Sequence, residues 1–259
     1  MESVDNPRRP ADGDSVWEQL APGVARRRLA PLDVTIGLVV GADGVLLVDT
    51  GSTLREGEQL RGQIEALTGR AVTHVVLTHG HFDHVLGAAA FPGARVYGER
   101  SLDGFLRAAG TAAELAQDAV RHGTDAAQAA EAAAALVGVT APVADELWLD
   151  LGGDRLVRLV HPGPGHTGRD LVVVVPGGTA SDPAVVFCGD LVEESGEPQA
   201  GPDAAPAGWP AALDAVLALG GETARYVPGH GAVVDARFVR AQRDTLAERF
   251  GAPDSGGPG

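Results

Sequence analysis

Apolar positions along this chain switch between two periods. Early on they come as short continuous runs at Val24–Leu29, Val34–Val40 and Val45–Val48. Turn residues separate them, and Asp43-Gly44 is a tight-turn signal between the last two. This predicts an antiparallel meander of strands. The period then changes. Ser52 or Thr53 can cap a helix in which Leu54, Leu60, Ile64 and Leu67 recur at helical spacing, and Gly69 ends it. Val75, Val76 and Leu77 form a buried strand. Residues 85–91 predict a short helix and 94–97 a strand. The Ala-rich, charged stretch 99–139 predicts helices over 112–121 and 126–136. Strands resume at 146–149, Leu156–Val160, 171–175 and 185–187. A helix through Trp209, Leu213, Val216 and Leu217 follows, then a short strand from Tyr226, and Asp235 caps a last helix over Ala236–Phe250. The pattern predicts one domain over residues 15–250 with a helical insertion at 99–139. The Pro-containing polar ends, 1–14 and 251–259, are expected to be disordered tails.

Chemistry concentrates where the strand at Val75 ends. The segment T-H-G-H-F-D-H places His79, His81, Asp83 and His84 within seven residues. A polar loop whose histidines cluster by chance is the plain alternative, but imidazole nitrogens and carboxylate oxygens are donors suited to zinc, at about 2.0–2.2 Å. His79 and His81 alternate, so an extended segment points both the same way. One zinc usually takes three or four protein ligands. This segment alone holds four donors, and His161, His166, Asp190 and His230 follow at loops and strand ends. The supply suits two cations. Cys188 reads as a buried core residue rather than a thiolate ligand, and His74 and His122 as non-ligands.

Composition narrows the function classes. The formal net charge is -15, and all 20 basic residues are arginine. Such a chain repels phosphate backbones, so no nucleic-acid partner is expected. The dense run Arg26-Arg27-Arg28 reads as a solvated strand or turn. A single cysteine excludes an intrachain disulfide. With no apolar run of export-signal or membrane-span length, the expectation is a soluble cytoplasmic protein with no membrane partner. The Ala, Gly and Arg bias without lysine suggests a GC-rich bacterial genome. By composition the insertion at 99–139 reads as a surface helical pair.

Five pieces carry a family resemblance. They are L-L-V-D-T-G with Asp49, H-x-H-x-D-H from His79 to His84, G-H-T-G-R-D with His166, F-C-G-D with Asp190, and V-P-G-H-G with His230. In this order, from Leu46 to Gly231, they resemble the signature of the metallo-β-lactamase-fold superfamily, in its binuclear, carboxylate-bridged glyoxalase II and lactonase-like subgroup. The resemblance implies an α/β fold, a four-layer αββα sandwich. It implies that His79, His81 and His166 hold one metal, that Asp83, His84 and His230 hold a second, and that Asp190 bridges them. It picks His166 over His161, and has Asp49 support the metal loop from behind. For the insertion at 99–139 it implies the alternative of a cover shaping access to the site. The implied cofactors are two Zn2+, with iron or manganese as alternatives. The implied activity is hydrolysis of a small-molecule ester, lactone or thioester by a metal-bridging hydroxide, with Asp83 as the catalytic proton acceptor. A mono-iron sulfur dioxygenase of the same fold is the alternative. A β-lactamase is less expected, because the chain lacks lysine and an export signal, and a nuclease because of its charge.

Overall fold

The computed structural model describes residues 16–177 and 182–251, so the two expected tails, apart from Gly251, lie outside it. The chain begins with β1 (Glu18–Ala21), β2 (Val24–Leu29), β3 (Val34–Val40) and β4 (Val45–Val48). Then come α1 (Leu54–Thr68), β5 (His74–Val76), α2 (Phe82–Val85), β6 (Arg95–Glu99), α3 (Leu102–Leu106), α4 (Thr111–Arg121), α5 (Ala126–Ala134) and β7 (Ala141–Val143). The second half holds β8 (Glu146–Asp150), β9 (Leu156–Val160), β10 (Val172–Val175), β11 (Val185–Glu193), α6 (Trp209–Gly220), β12 (Arg225–His230) and α7 (Ala236–Phe250).

Strands β2 to β4 form the expected meander, β1 adds to its β2 edge, and β5, β6 and β7 extend it in parallel. In the second half, β8 to β11 pair antiparallel and β12 joins β11 in parallel. Among the described strands, the two halves pair at one place, β3 with β12, through Val34 and His230. Side-chain alternation explains why the strands are continuous apolar runs: both faces are buried. Val34, Ile36, Val45, Leu47 and Val75 face the helices of the first half, with Leu60, Ile64 and Phe82. Their neighbours Val39, Leu46, Val48 and Val76 face Val157, Leu159, Val173, Val185 and Phe187 of the second half. On the far side, Val172, Val174, Val186 and Cys188 pack against Trp209, Leu213, Val216 and Val239. Three apolar interfaces thus separate four layers in the order helix, sheet, sheet, helix.

Helix α1 starts where its capping box places it. Thr53 accepts from Glu56 N at 3.1 Å and Glu56 reaches back to Ser52 N at 2.6 Å. Gly69, at φ 67°, ends it in the left-handed conformation. Elsewhere the boundaries differ from expectation. The short helix starts at Phe82, and a separate 3₁₀ turn spans Ala88–Ala90. Strand β11 runs on to Glu193, past Gly189 at φ 53°, where its register with β12 shifts. The arginine run is not wholly solvated. Arg26 is buried, bonded to Glu18 Oε2 at 2.7 Å and to the Gly231 carbonyl at 2.8 Å, because its strand is covered there by the loop after β12. Among the described residues, no helix is long and apolar enough to cross a membrane.

Candidate metal centre

The seam between the halves gathers seven side chains. The loop after β5 supplies His79 and His81, and α2 supplies Asp83 and His84. The β9–β10 loop supplies His166, β11 supplies Asp190, and the end of β12 supplies His230. Donor atoms of His79, His81, His166 and Asp190 lie within 4.8 Å of one another, and so do those of Asp83, His84 and His230. Asp190 faces both sets. Its Oδ2 is 3.7 Å from His79 Nε2, 3.5 Å from His166 Nε2 and 3.3 Å from His230 Nε2, and its Oδ1 is 3.2 Å from His84 Nε2. His81 Nδ1 lies 3.0 Å from His166 Nε2, and Asp83 Oδ2 lies 3.4 Å from His230 Nε2.

The other nitrogens are held from outside. Asp49, 2 % exposed, accepts from Thr78 N, Thr78 Oγ1 and His84 Nδ1, each at 2.8 Å. His230 Nδ1 donates to the Leu32 carbonyl at 2.9 Å, and His166 Nδ1 to the Gln199 carbonyl at 3.2 Å. These bonds place the N–H outward and turn the Nε2 lone pairs inward. Inside, His79 Nε2, His84 Nε2 and Asp190 Oδ1 are buried with no hydrogen-bond partner among the described residues. Orphaned polar atoms of this kind are costly unless something binds them. Lone pairs on two imidazoles and an oxygen, set within two groups of donors, fit a pair of divalent cations.

Charge divides the cluster. Burial holds His79 well below the usual histidine value, and lowers His166 to about 4. Burial also works against protonation of His84 and His230, but Asp190 and Asp83 outweigh it: His84 is raised well above its usual value and His230 to about 10. A cation seated among these carboxylates takes the place of those protons.

Close packing fixes the bridging carboxylate. A Cβ on Gly229 would overlap Asp190 Oδ1, and one on Gly189 would come within 2.8 Å of Thr78 Cβ. Both positions therefore need glycine. Cys188 points away, into the apolar layer beneath α6, with Sγ 3.3 Å from the Val186 carbonyl. His161 bonds the Asp170 carbonyl at 2.7 Å, His74 stacks on Tyr97, and the exposed His122 stacks on Phe82; none joins the cluster.

Several neighbours of the site escaped the sequence reading. Asp170 is buried and accepts from Gly165 N, Thr167 N and Thr167 Oγ1, which shapes the loop that carries His166. Burial pushes it up to about 7 against those bonds. Its place in G-H-T-G-R-D was the available signal. Asp203 Oδ1 reaches to 3.4 Å from His81 Nε2, and Glu193 lies within 4.8 Å of the Asp190 and His230 donors. Glu193 ends β11 and Asp203 lies in the polar loop that follows, and no local pattern marked either. The insertion also takes part: Phe105 of α3 lies so close to Gly80 that a Cβ there would come within 2.7 Å of its ring.

The layered fold and this His/Asp cluster define a metallohydrolase architecture with the donors of a metal site. The chain belongs to the metallo-β-lactamase superfamily, whose family model matches residues 29–230. Metallo-beta-lactamase domain-containing protein 1 of Xenopus laevis is 28% identical over 165 residues, 64% of this chain. The chain spans 57% of the length of that relative. The crystal structure of the metallo-β-lactamase FIM-1 from Pseudomonas aeruginosa, in a mono-zinc form, aligns with a TM-score of 0.69 at 22% identity, covering 94% of this chain and 99% of that one. The DIM-1 metallo-β-lactamase aligns with a TM-score of 0.67 at 19% identity, over 90% and 97% of the two chains. At these identities the likeness is one of fold.

Proposed function

We propose that this chain is a binuclear metal-dependent hydrolase, of the glyoxalase II and lactonase-like kind, that cleaves a small ester, lactone or thioester. The observation that carries the reading is Asp190. Its two oxygens face histidines of both sets at 3.2–3.7 Å, and Oδ1 has no hydrogen-bond partner among the described residues. Such a carboxylate would be shared between two divalent cations.

In this reading His79 Nε2, His81 Nδ1 and His166 Nε2 would hold one cation, Asp83, His84 Nε2 and His230 Nε2 the other, and Asp190 would serve both. Zinc is the first choice: imidazole and carboxylate donors suit it, and FIM-1, of like fold, is described with zinc. When bound, such a pair supplies a water acidic enough to act as nucleophile near neutral pH and polarises the substrate carbonyl. Asp83 accepts the nucleophile's proton at a carboxylate oxygen and passes it toward the leaving group. Asp49 and the Leu32 carbonyl keep the His84 and His230 rings aligned throughout.

The test is elemental analysis of the purified protein together with hydrolysis of lactones, thioesters and a chromogenic cephalosporin. About two zinc ions per chain with turnover of an ester, lactone or thioester are expected. His79→Ala is expected to lose metal and activity together. Full activity with metal retained in that variant refutes the assignment, and one iron per chain without hydrolysis supports the dioxygenase alternative.

A further inference from the structure

We propose that Arg169 is the anchor for a carboxylate carried by the substrate, so that the preferred ester or thioester has an anionic acyl group. The proposal rests on the hydrolase reading and deepens it. Arg169 follows His166 by three residues on the same loop, and its backbone N–H donates to Thr167 Oγ1 at 3.0 Å. Thr167 is in turn pinned by Asp170 through N at 3.0 Å and Oγ1 at 2.7 Å. The base of the arginine is therefore fixed relative to the metal-facing histidine.

The guanidinium is fixed too, by stacking rather than by hydrogen bonds. Its Cζ lies 4.4 Å from the centroid of the Phe105 ring, and that ring packs on Gly80, between His79 and His81. Its ion-pair partner is Asp203, with Nη1 3.8 Å from Oδ2, too long for a hydrogen bond. Asp203 turns its other oxygen to His81 Nε2 at 3.4 Å, so the guanidinium sits one carboxylate's width from a histidine of the cluster. The arginine side chain is 27% exposed and makes no hydrogen bond among the described residues.

Other arginines here do structural work by capping carbonyls. Arg26, Arg61, Arg70 and Arg155 donate to Gly231, Ala90, Gly41 and Pro22. Arg169 caps none. A planar fork with open donors, held over an aromatic ring beside the reaction centre, matches a carboxylate in two-point geometry. In a chain of net charge -15, that local cation is what an anionic substrate needs to dwell beside Asp83, Asp190 and Asp203.

The experiment uses the zinc-loaded full chain. Glutarate and butyrate are titrated by calorimetry, and the S-phenyl monothioester of glutaric acid is compared with S-phenyl hexanoate as substrate. Glutarate is expected to bind at least about 10-fold more tightly than butyrate, as one added charge-assisted pair allows. Arg169→Met should erase that preference and spare butyrate binding and metal content, while Arg169→Lys keeps part of it. Equal binding of the two acids by the unmodified protein, or equal weakening of both in Arg169→Met, overturns the proposal. A preference that depends on Arg169, without hydrolysis of either thioester or of any ester or lactone tested, upholds the anion site and defeats the hydrolase reading. Hydrolysis of the two at equal efficiency does the reverse.

Discussion

Replacing Asp49 by Asn probes how the scaffold sets the chemistry of a histidine it never lets move. The substitution keeps shape, and Asn tolerates the left-handed backbone at this position, φ 62°. It changes what faces His84. Asp49 Oδ2 accepts from both Thr78 Oγ1 and His84 Nδ1 at 2.8 Å. With an amide NH2 there, the Thr78 hydroxyl can rotate to accept, but the imidazole N–H meets another donor. Loss of that one charge-assisted bond costs about 1.5–3 kcal/mol. His84, protonated on both nitrogens in the stripped protein, can escape by giving up its Nδ1 proton and keeping the one on Nε2, which faces Asp190 Oδ1, 3.2 Å away. The fold is rescued, but the lone pair that should meet a cation is occupied. We therefore expect metal-stripped Asp49→Asn to lose no more than about 3 kcal/mol in urea unfolding, while the second cation binds about 10–100-fold more weakly. Chelator competition with zinc and cobalt measures the affinity, and nitrogen NMR of the imidazoles reads the tautomer. A variant that binds two cations as tightly as the parent, with His84 still protonated at Nδ1, would show that Asp49 does not set the ligand.

Three further outcomes are expected. Gly229→Ala should displace Asp190 and lose the second cation, read by metal content, since its Cβ overlaps Asp190 Oδ1. Cys188→Ala should cost about 1 kcal/mol in a urea midpoint series and leave metal content unchanged; loss of metal would restore a thiolate role. In metal-stripped protein, protonated His230 beside Asp190 stabilises the fold. Its folded value is raised to about 10 from 6.5, so that stabilisation is complete below pH 6.5 and is lost as pH rises through 10. Urea midpoints across this range should fall in stripped protein, and zinc-loaded protein should lack the slope.

The sequence was most readable where the chemistry is local. His79, His81, Asp83 and His84 lie within one short segment, so their gathering needed no knowledge of the fold. His166, Asp190 and His230 announce themselves by glycine-rich segments at the ends of apolar strands, and the fold brings all seven together. The layers were implied by the family resemblance, whereas the continuous apolar runs of β3 to β5 show only that both of their faces are buried. What stayed hidden depends on tertiary approach. Asp203 meets His81 across 122 residues, and no local pattern marks it. Arg26 looked solvated because a run of three arginines has no apolar period, yet a loop some 200 residues later covers it. The bend at Gly189 was unreadable for the same reason: Thr78, which demands it, belongs to another strand's end.

The single β3–β12 junction has a consequence for how the molecule comes into being. Four of the seven donors belong to the first half and three to the second, with His81 and His166 85 residues apart. During synthesis the first half emerges with an incomplete set, which can grasp a cation only loosely. Neither set closes until the second half has docked, and His230, the last donor to appear, completes it. The final step of folding and the capture of metal would then be one event, timed by the order in which the ribosome delivers the halves.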